Sequence, residues 1–301
     1  MRVAAIDCGT NSIRLLIADV TGDRLIDVSR RMEIVRLGEG VDRTGRLAPA
    51  AIDRTRRALI GYAAEIAELG ISEVRMVATS ASRDAENAAD FRTMVRAVLG
   101  IDPEVITGDE EARLSFTGAV RGLDAEPPYL VVDIGGGSTE FVTGRTTSEQ
   151  AISMDIGCVR MTERHLKSDP PTTAEITAAE QDITAAVDTA LAAVPGRAAK
   201  TLLGLAGSVT TITALALDLP AYDANAIHHA RISHAQVAKV TADLLAATVA
   251  ERSALPVMHP GRADVIGAGA LILRTIMDRS GHSEVIASEH DILDGIAWGL
   301  A

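Results

Sequence analysis

The first 125 residues contain no lysine, and the whole chain of 301 residues has three phenylalanines, three tyrosines and one tryptophan. An aromatic share of 2% offers no stacking platform for single-stranded nucleic acid, and no basic run exists to track a duplex. Nucleic acid is therefore not an expected partner. No apolar run approaches the roughly 18 residues of a membrane span, and Met1-Arg2-Val3 leads straight into a strand pattern instead of a signal peptide. A cytoplasmic protein with no membrane partner is the expectation. The two cysteines, Cys8 and Cys158, lack metal-ligand spacing and read as free thiols of a reducing compartment. No segment is of low complexity. Net charge is −12, split as 17 Arg against 20 acidic residues (−3) over 1–125 and 12 basic against 21 acidic (−9) over 126–301. An Arg-only basic set suits bidentate phosphate recognition, although an Arg-rich genome composition explains it equally well.

The most informative stretch is Tyr129 to Arg145, YLVVDIGGGSTEFVTGR. A short apolar run ends at Asp133, three glycines follow, and alternation resumes at Ser138, which reads as strand, turn and strand. Consecutive glycines let backbone N–H groups converge on an anion without Cβ obstruction. Asp133 and Glu140 bracket the loop, and hard carboxylate oxygens beside phosphate oxygens are how proteins usually hold Mg²⁺. A tight hairpin whose glycines serve only the turn would show the same residues. The N-terminus repeats the pattern: Ala5-Ile6-Asp7-Cys8-Gly9-Thr10-Asn11-Ser12 lies over Val131 to Ser138, matching Asp, Gly and Ser at one offset. A repeat of that length is a duplicated domain, whose two loops would face a shared cleft and grip a phosphate chain from both sides.

Read in order, the first half gives strands at Val3–Asp7, Ile13–Val20 and Leu25–Leu37, and a helix from Pro49 to about Leu69. A strand at Val74–Ala78 then runs into Thr79-Ser80-Ala81-Ser82-Arg83, where Arg83 is a candidate phosphate clamp or a solvated surface arginine. Gly108-Asp109-Glu110-Glu111-Ala112-Arg113 opens a helix, and acids in a first helical turn ordinarily just offset the macrodipole. Leu123 to Pro128 is the expected domain boundary. Beyond it come a strand at Ala151–Ile156, helices at Gly157–Lys167 and Thr173–Val194, and a strand at Thr201–Leu205. The latter leads into the small-residue helix start Ala206-Gly207-Ser208-Val209-Thr210-Thr211, a third phosphate-type loop. His228, His229 and His234 lack the spacing of a metal set and read as structural or exposed. A helix from His259 to Ile276, a strand at Glu284–Ala287 and a helix at Ile292–Leu300 close the chain.

These loops in this order, together with Arg262-Ala263-Asp264, resemble the exopolyphosphatase and guanosine pentaphosphate phosphohydrolase family over nearly the whole chain. The resemblance implies an α/β, duplicated actin-like (ribonuclease H-like) two-domain fold, of the superfamily that includes sugar kinases and heat-shock proteins. It implies domains at 1–125 and 126–301, with residues 291–301 packing back on the first. Carried over by residue, it implies Glu111 as the base that activates water. Phosphate contacts fall on Asn11, Ser12, Arg83, Gly136, Gly137, Ser138, Thr139, Gly207 and Ser208. Asp133 and Glu140, with Asp7, are implied as carboxylates for Mg²⁺, or Mn²⁺ in its place.

The expected activity is release of terminal phosphate from inorganic polyphosphate. The rival substrate is guanosine pentaphosphate, and the other classes are an ATP-dependent kinase and a non-catalytic sensor of polyphosphate or guanosine penta- or tetraphosphate. A kinase would leave Glu111 without a role. The chain ends where the actin-like core should close, while longer family members continue into a helical domain. A preference for short chains and a distributive mode are therefore expected. A homodimer is implied by the resemblance alone.

Overall fold

The first strand, β1 (Arg2–Cys8), buries six of its seven residues, which is why it reads as an apolar run without alternation. Ala4, Ile6 and Cys8 face one core, while Val3 and Ala5 face another on the opposite side of the sheet. The computed structural model describes every residue from Met1 to Ala301 and divides into two units, Met1–Gly118 with Ile292–Ala301, and Ala119–Asp291.

In the first unit β1 is followed by β2 (Ser12–Thr21), β3 (Arg24–Ile34), α1 (Val41–Thr44), α2 (Pro49–Glu68), β4 (Glu73–Ala78), α3 (Ser80–Asp84), α4 (Ala88–Leu99), β5 (Glu104–Val105) and α5 (Gly108–Val120). The sheet order is β3-β2-β1-β4-β5, with β1, β2 and β3 antiparallel and β4 and β5 parallel to β1. Leu59, Tyr62 and Ile66 of α2 and Phe91 and Val95 of α4 cover one face.

The second unit runs β6 (Tyr129–Ile134), β7 (Thr139–Gly144), β8 (Ser148–Met154), α6 (Cys158–His165), α7 (Thr173–Ala193), β9 (Thr201–Leu205), α8 (Ala206–Ala216), α9 (Ala224–Ile227), β10 (Arg231–Ser233), α10 (His234–Ala246), α11 (Val249–Ser253), α12 (Ile266–Ser280) and β11 (Glu284–Ala287). The last helix, α13 (Ile292–Trp298), belongs to the first unit, where Ile292, Leu293, Ile296 and Ala297 cover the second face of its sheet. Burying three such aliphatic side chains contributes on the order of 5–9 kcal/mol as an upper bound.

The second sheet is ordered β10-β11-β9-β6-β7-β8. Read from β8 it repeats the first sheet strand for strand, three antiparallel strands and then two parallel ones, with β10 as an added antiparallel edge. The duplication inferred from Asp, Gly and Ser thus extends to topology. Two sequence expectations need adjustment. The third strand stops at Ile34, and the helix expected from His259 begins only at Ile266, behind a short 3-10 turn at Pro260–Arg262. No helix is long and apolar enough to cross a membrane.

Candidate active site

Each unit carries its glycine turn on the hairpin that follows its first strand, closed by the same hydrogen bond. Gly9 N donates to Ser12 O at 2.9 Å, and Gly135 N donates to Ser138 O at 3.0 Å. The strand residues beside the turns differ in a way that matters for charge. In the first hairpin Asp7 pairs across the strands with Arg14, whose Nη2 donates to Asp7 Oδ2 at 2.7 Å. In the second, the equivalent partners are Asp133 and Glu140, two carboxylates side by side on one face of the sheet. Both are buried, and Ser153 Oγ on the next strand donates to Glu140 Oε1 at 2.7 Å.

Two buried carboxylates adjacent on a sheet repel one another unless a cation offsets them. Their oxygen chemistry fits Mg²⁺, which commonly takes one or two carboxylates and completes its shell with water and substrate phosphate. No group of three or more His, Cys, Asp or Glu side chains is arranged to hold a metal. Asp7, implied as a third ligand, lies in the other unit with its Oδ2 held by Arg14.

The Gly135–Ser138 loop rests on the start of α6. Cys158 N donates to Gly135 O at 2.9 Å, and Val159 N and Arg160 N donate to Gly136 O at 2.9 and 3.1 Å. Arg160 Nε donates to Gly137 O at 2.7 Å. In a planar trans peptide the N–H points opposite to the C=O, so the N–H groups of Gly136, Gly137 and Ser138 face away from α6. That is a row of donors with the loop's carbonyls withdrawn behind it. Gly157 makes the contact possible, since a Cβ there would overlap the backbone of Gly136 and Gly137. The Thr139 hydroxyl instead donates inward to Ile156 O.

At the end of β9, Ala206 takes a left-handed φ of 68°, and α8 begins without a side-chain cap on its first N–H groups. Arg262 lies over Gly207 so closely that a Cβ on Gly207 would overlap its guanidinium, and Arg262 Nη1 reaches Thr211 Oγ1 at 3.3 Å. An uncapped helix start with an arginine across it concentrates positive potential. Ser208 is buried beside Gly269, where a Cβ would overlap its hydroxyl. Burial raises the Cys158 thiol above its ordinary value, so it remains a neutral packing group.

In the first unit, Thr10 Oγ1 and Ser80 Oγ are 2.9 Å apart, linking the glycine turn to α3. Asn11 Oδ1 and Ser82 Oγ are buried there with no hydrogen-bond partner, a pattern that concentrates at ligand sites. Ser12 opens β2 opposite Ile34. Arg83 on α3 donates from Nη1 to Ile106 O at 3.1 Å and to Glu111 Oε2 at 3.3 Å. The acidic pair on α5 is thereby divided. Glu111 is buried against Arg83, while Glu110 is half-buried and paired with Arg75 at 3.0 Å.

Sequence reasoning gave no role to Arg160, Gly157 or Arg262. Arg262 stands in the Arg262-Ala263-Asp264 motif, whereas nothing in one sequence reveals that Gly157 meets Gly136. The histidines regroup: His228 stacks on His229 at 3.7 Å and lies 4.4 Å from His290, while His234 pairs with Asp278.

Two sheets of one topology, each with a glycine-turn hairpin on its first strand, define a duplicated actin-like fold of the ribonuclease H-like type. The chain belongs to the Ppx/GppA phosphatase family, which it matches over residues 16–300. It is 52% identical to exopolyphosphatase 2 of Mycobacterium tuberculosis, an alignment that covers 100% of this chain and 98% of that one. An exopolyphosphatase-like protein of known crystal structure superposes with a TM-score of 0.95 at 44% identity, over 98% of this chain and 96% of that one. An exopolyphosphatase from Cytophaga hutchinsonii does so with a TM-score of 0.90 at 25% identity, over 100% and 97%.

Proposed function

We propose that this protein is an exopolyphosphatase that hydrolyses the terminal phosphoanhydride bond of inorganic polyphosphate and releases orthophosphate. The observation that carries the reading is the Gly135–Ser138 loop, whose carbonyls are drawn back by α6 and Arg160 so that its amides point the other way, as a phosphate site requires. The full-length similarity to a protein named exopolyphosphatase 2 supports it.

In this reading Glu111 accepts a proton from water as the water oxygen attacks the terminal phosphorus. The bridging P–O bond breaks, and the shortened chain leaves with the bridging oxygen. Arg83 exchanges its contact with Glu111 for a phosphate oxygen, which frees the carboxylate and clamps the substrate. The amides of Gly136, Gly137 and Ser138 hold phosphate oxygens, as do Asn11 and Ser12. Gly207, Ser208 and Arg262 take the next phosphates. Asp133 and Glu140 are the proposed ligands of Mg²⁺, or Mn²⁺, which when bound offsets charge on the phosphoryl oxygens. Asp7, whose Oδ2 is held by Arg14, belongs to the same proposal as a further carboxylate.

A cytoplasmic location, a homodimer, a preference for short polyphosphates and a distributive mode belong to the same proposal. No basic run supports a grip on long polymers. Electrophoresis of partly digested long polymer tests the mode. A ladder of shortening chains is expected, and full-length polymer persisting beside free phosphate would contradict it. One observation favours guanosine pentaphosphate as a second substrate. Tyr222, 40% exposed, has its hydroxyl fixed by Thr210 at 2.8 Å and Glu289 at 2.6 Å, which leaves a ring on which a base could stack beside α8. Phosphate release from polyphosphate, guanosine pentaphosphate and ATP in parallel discriminates these readings.

A further inference from the structure

In the first unit the carbonyls of the glycine turn are drawn back by main-chain donors. Thr10 O accepts from Gly38 N at 2.9 Å, and Asn11 O accepts from Val35 N at 3.0 Å and Arg36 N at 2.8 Å. Arg36 holds a left-handed φ of 51° as it does so, a conformation that costs a non-glycine residue about 1–2 kcal/mol. The main chain thus accepts strain to keep Asn11 O turned away from the side that Asn11 and Ser12 present.

The constant offset between the hairpins carries Gly9, Thr10 and Asn11 onto Gly135, Gly136 and Gly137. Gly136 O, the counterpart of Thr10 O, is again bound by main-chain N–H groups, those of Val159 and Arg160, and Gly135 O is bound by that of Cys158. The counterpart of Asn11 O is Gly137 O, and its bond at 2.7 Å comes from a side chain, Arg160 Nε. At this position an arginine does what two main-chain amides do in the first unit.

That difference has a physical consequence. The glycines that let an anion approach the backbone also let their peptides rotate without a Cβ penalty. The Gly137–Ser138 peptide therefore needs an external restraint if the Ser138 N–H is to stay on the anion side. Arg160 is suited to provide it, because its side chain is only 13% exposed and its Nη2 lies 3.8 Å from Asp155. A guanidinium bond also polarises the peptide and strengthens the N–H as a donor.

We propose that Arg160 is a positioning residue for phosphate binding: it locks the Gly137–Ser138 peptide so that the Ser138 amide faces the substrate. The inference rests on the reading of this loop as a phosphate site. Titration calorimetry of tripolyphosphate with Mg²⁺ on wild-type, Arg160→Met and Arg160→Lys protein tests it, together with amide NMR of Gly137, Ser138 and Ser12. Arg160→Met should weaken tripolyphosphate binding about tenfold, the loss of roughly one charge-assisted hydrogen bond. Arg160→Lys should recover part of that loss. The tripolyphosphate-induced shift of the Ser138 amide should collapse in Arg160→Met while that of Ser12 persists.

Wild-type affinity and an unchanged Ser138 shift in Arg160→Met would overturn the inference, whatever happens to Tm, because they describe a merely structural arginine. A loss that vanishes in 0.5 M salt (a concentration of about this size screens exposed charges) with the Ser138 shift intact would overturn it in favour of a charge effect. Wild-type protein that binds no tripolyphosphate would overturn the phosphate-site reading and this inference together.

Discussion

A methyl group at Gly157 would collide with main chain, which cannot swing aside as the end of a side chain can. The Cβ of Gly157→Ala would overlap the Gly136 carbonyl and the Gly137 nitrogen, atoms of the loop assigned to phosphate. Restoring ordinary contact requires α6 and the loop to separate by roughly 1 Å. The bonds from Cys158 N to Gly135 O and from Val159 N to Gly136 O, both 2.9 Å, would then stretch beyond hydrogen-bond range. With the longer Arg160 N bond included, three bonds at about 0.5–1.5 kcal/mol each predict a stability loss of about 1.5–4.5 kcal/mol. A displacement of about 1 Å at a loop that positions substrate, the role proposed for this one, can cost about 10²-fold in turnover. The assay is phosphate release from tripolyphosphate, with Tm measured on the same preparation at a temperature where the variant stays folded. KM should rise at least as strongly as kcat falls, because binding is the role proposed for the loop. Wild-type KM and Tm in Gly157→Ala would refute the argument that this close approach orients the loop.

Other consequences are open to direct measurement. Excess EDTA should stop phosphate release and Mg²⁺ restore it, with Asp133→Asn or Glu140→Gln needing more Mg²⁺; full activity in EDTA would remove metal assistance from the account. Ala206→Gly should relieve a left-handed alanine, giving about 0–1.5 kcal/mol after the entropy cost of glycine and a Tm rise of at most a few degrees; a Tm fall would contradict it. Burial and the neighbouring His290 hold His229 below the ordinary histidine range, so the unfolded chain binds more protons as pH drops below about 6.5. Stability from this group is therefore complete above about that pH and lost as pH falls toward the depressed folded value. Tm should decline from pH 7 to pH 5, less steeply in His229→Asn, whose side chain tolerates the left-handed φ of 63°. Equal slopes would assign the decline to other groups.

Much of this architecture was legible because burial on both sheet faces writes itself as apolar runs. Val3–Asp7, Tyr129–Val132 and Thr201–Leu205 all read as strands for that reason. The offset from Asp7-Gly9-Ser12 to Asp133-Gly135-Ser138 was visible as well, and it foretold two like turns, though not the hydrogen bond that closes each. Between Asp218 and Met258 the reading gave little beyond a histidine cluster. There β10 is only three residues long, and α10 announces itself mainly through the capping box of Ser233 and Gln236, a signal that was present. The site was readable as residue types but not as partners. Arg14 on Asp7, Arg83 on Glu111 and Ile156 O on Thr139 are contacts set by register and packing, which a list of motifs does not contain.

The central claim is that Glu111 activates the attacking water. Phosphate release from tripolyphosphate by wild-type, Glu111→Gln and Glu110→Gln protein, each checked for tripolyphosphate binding, tests it most directly. Glu111→Gln keeps the shape of the carboxylate but cannot take a proton, so the rate should fall about 10²–10⁴-fold while binding survives. Glu110, half-buried and paired with Arg75 away from Arg83, should tolerate the same change with little effect. A Glu111→Gln protein with wild-type turnover, or a Glu110→Gln protein more damaged than it, would contradict the account.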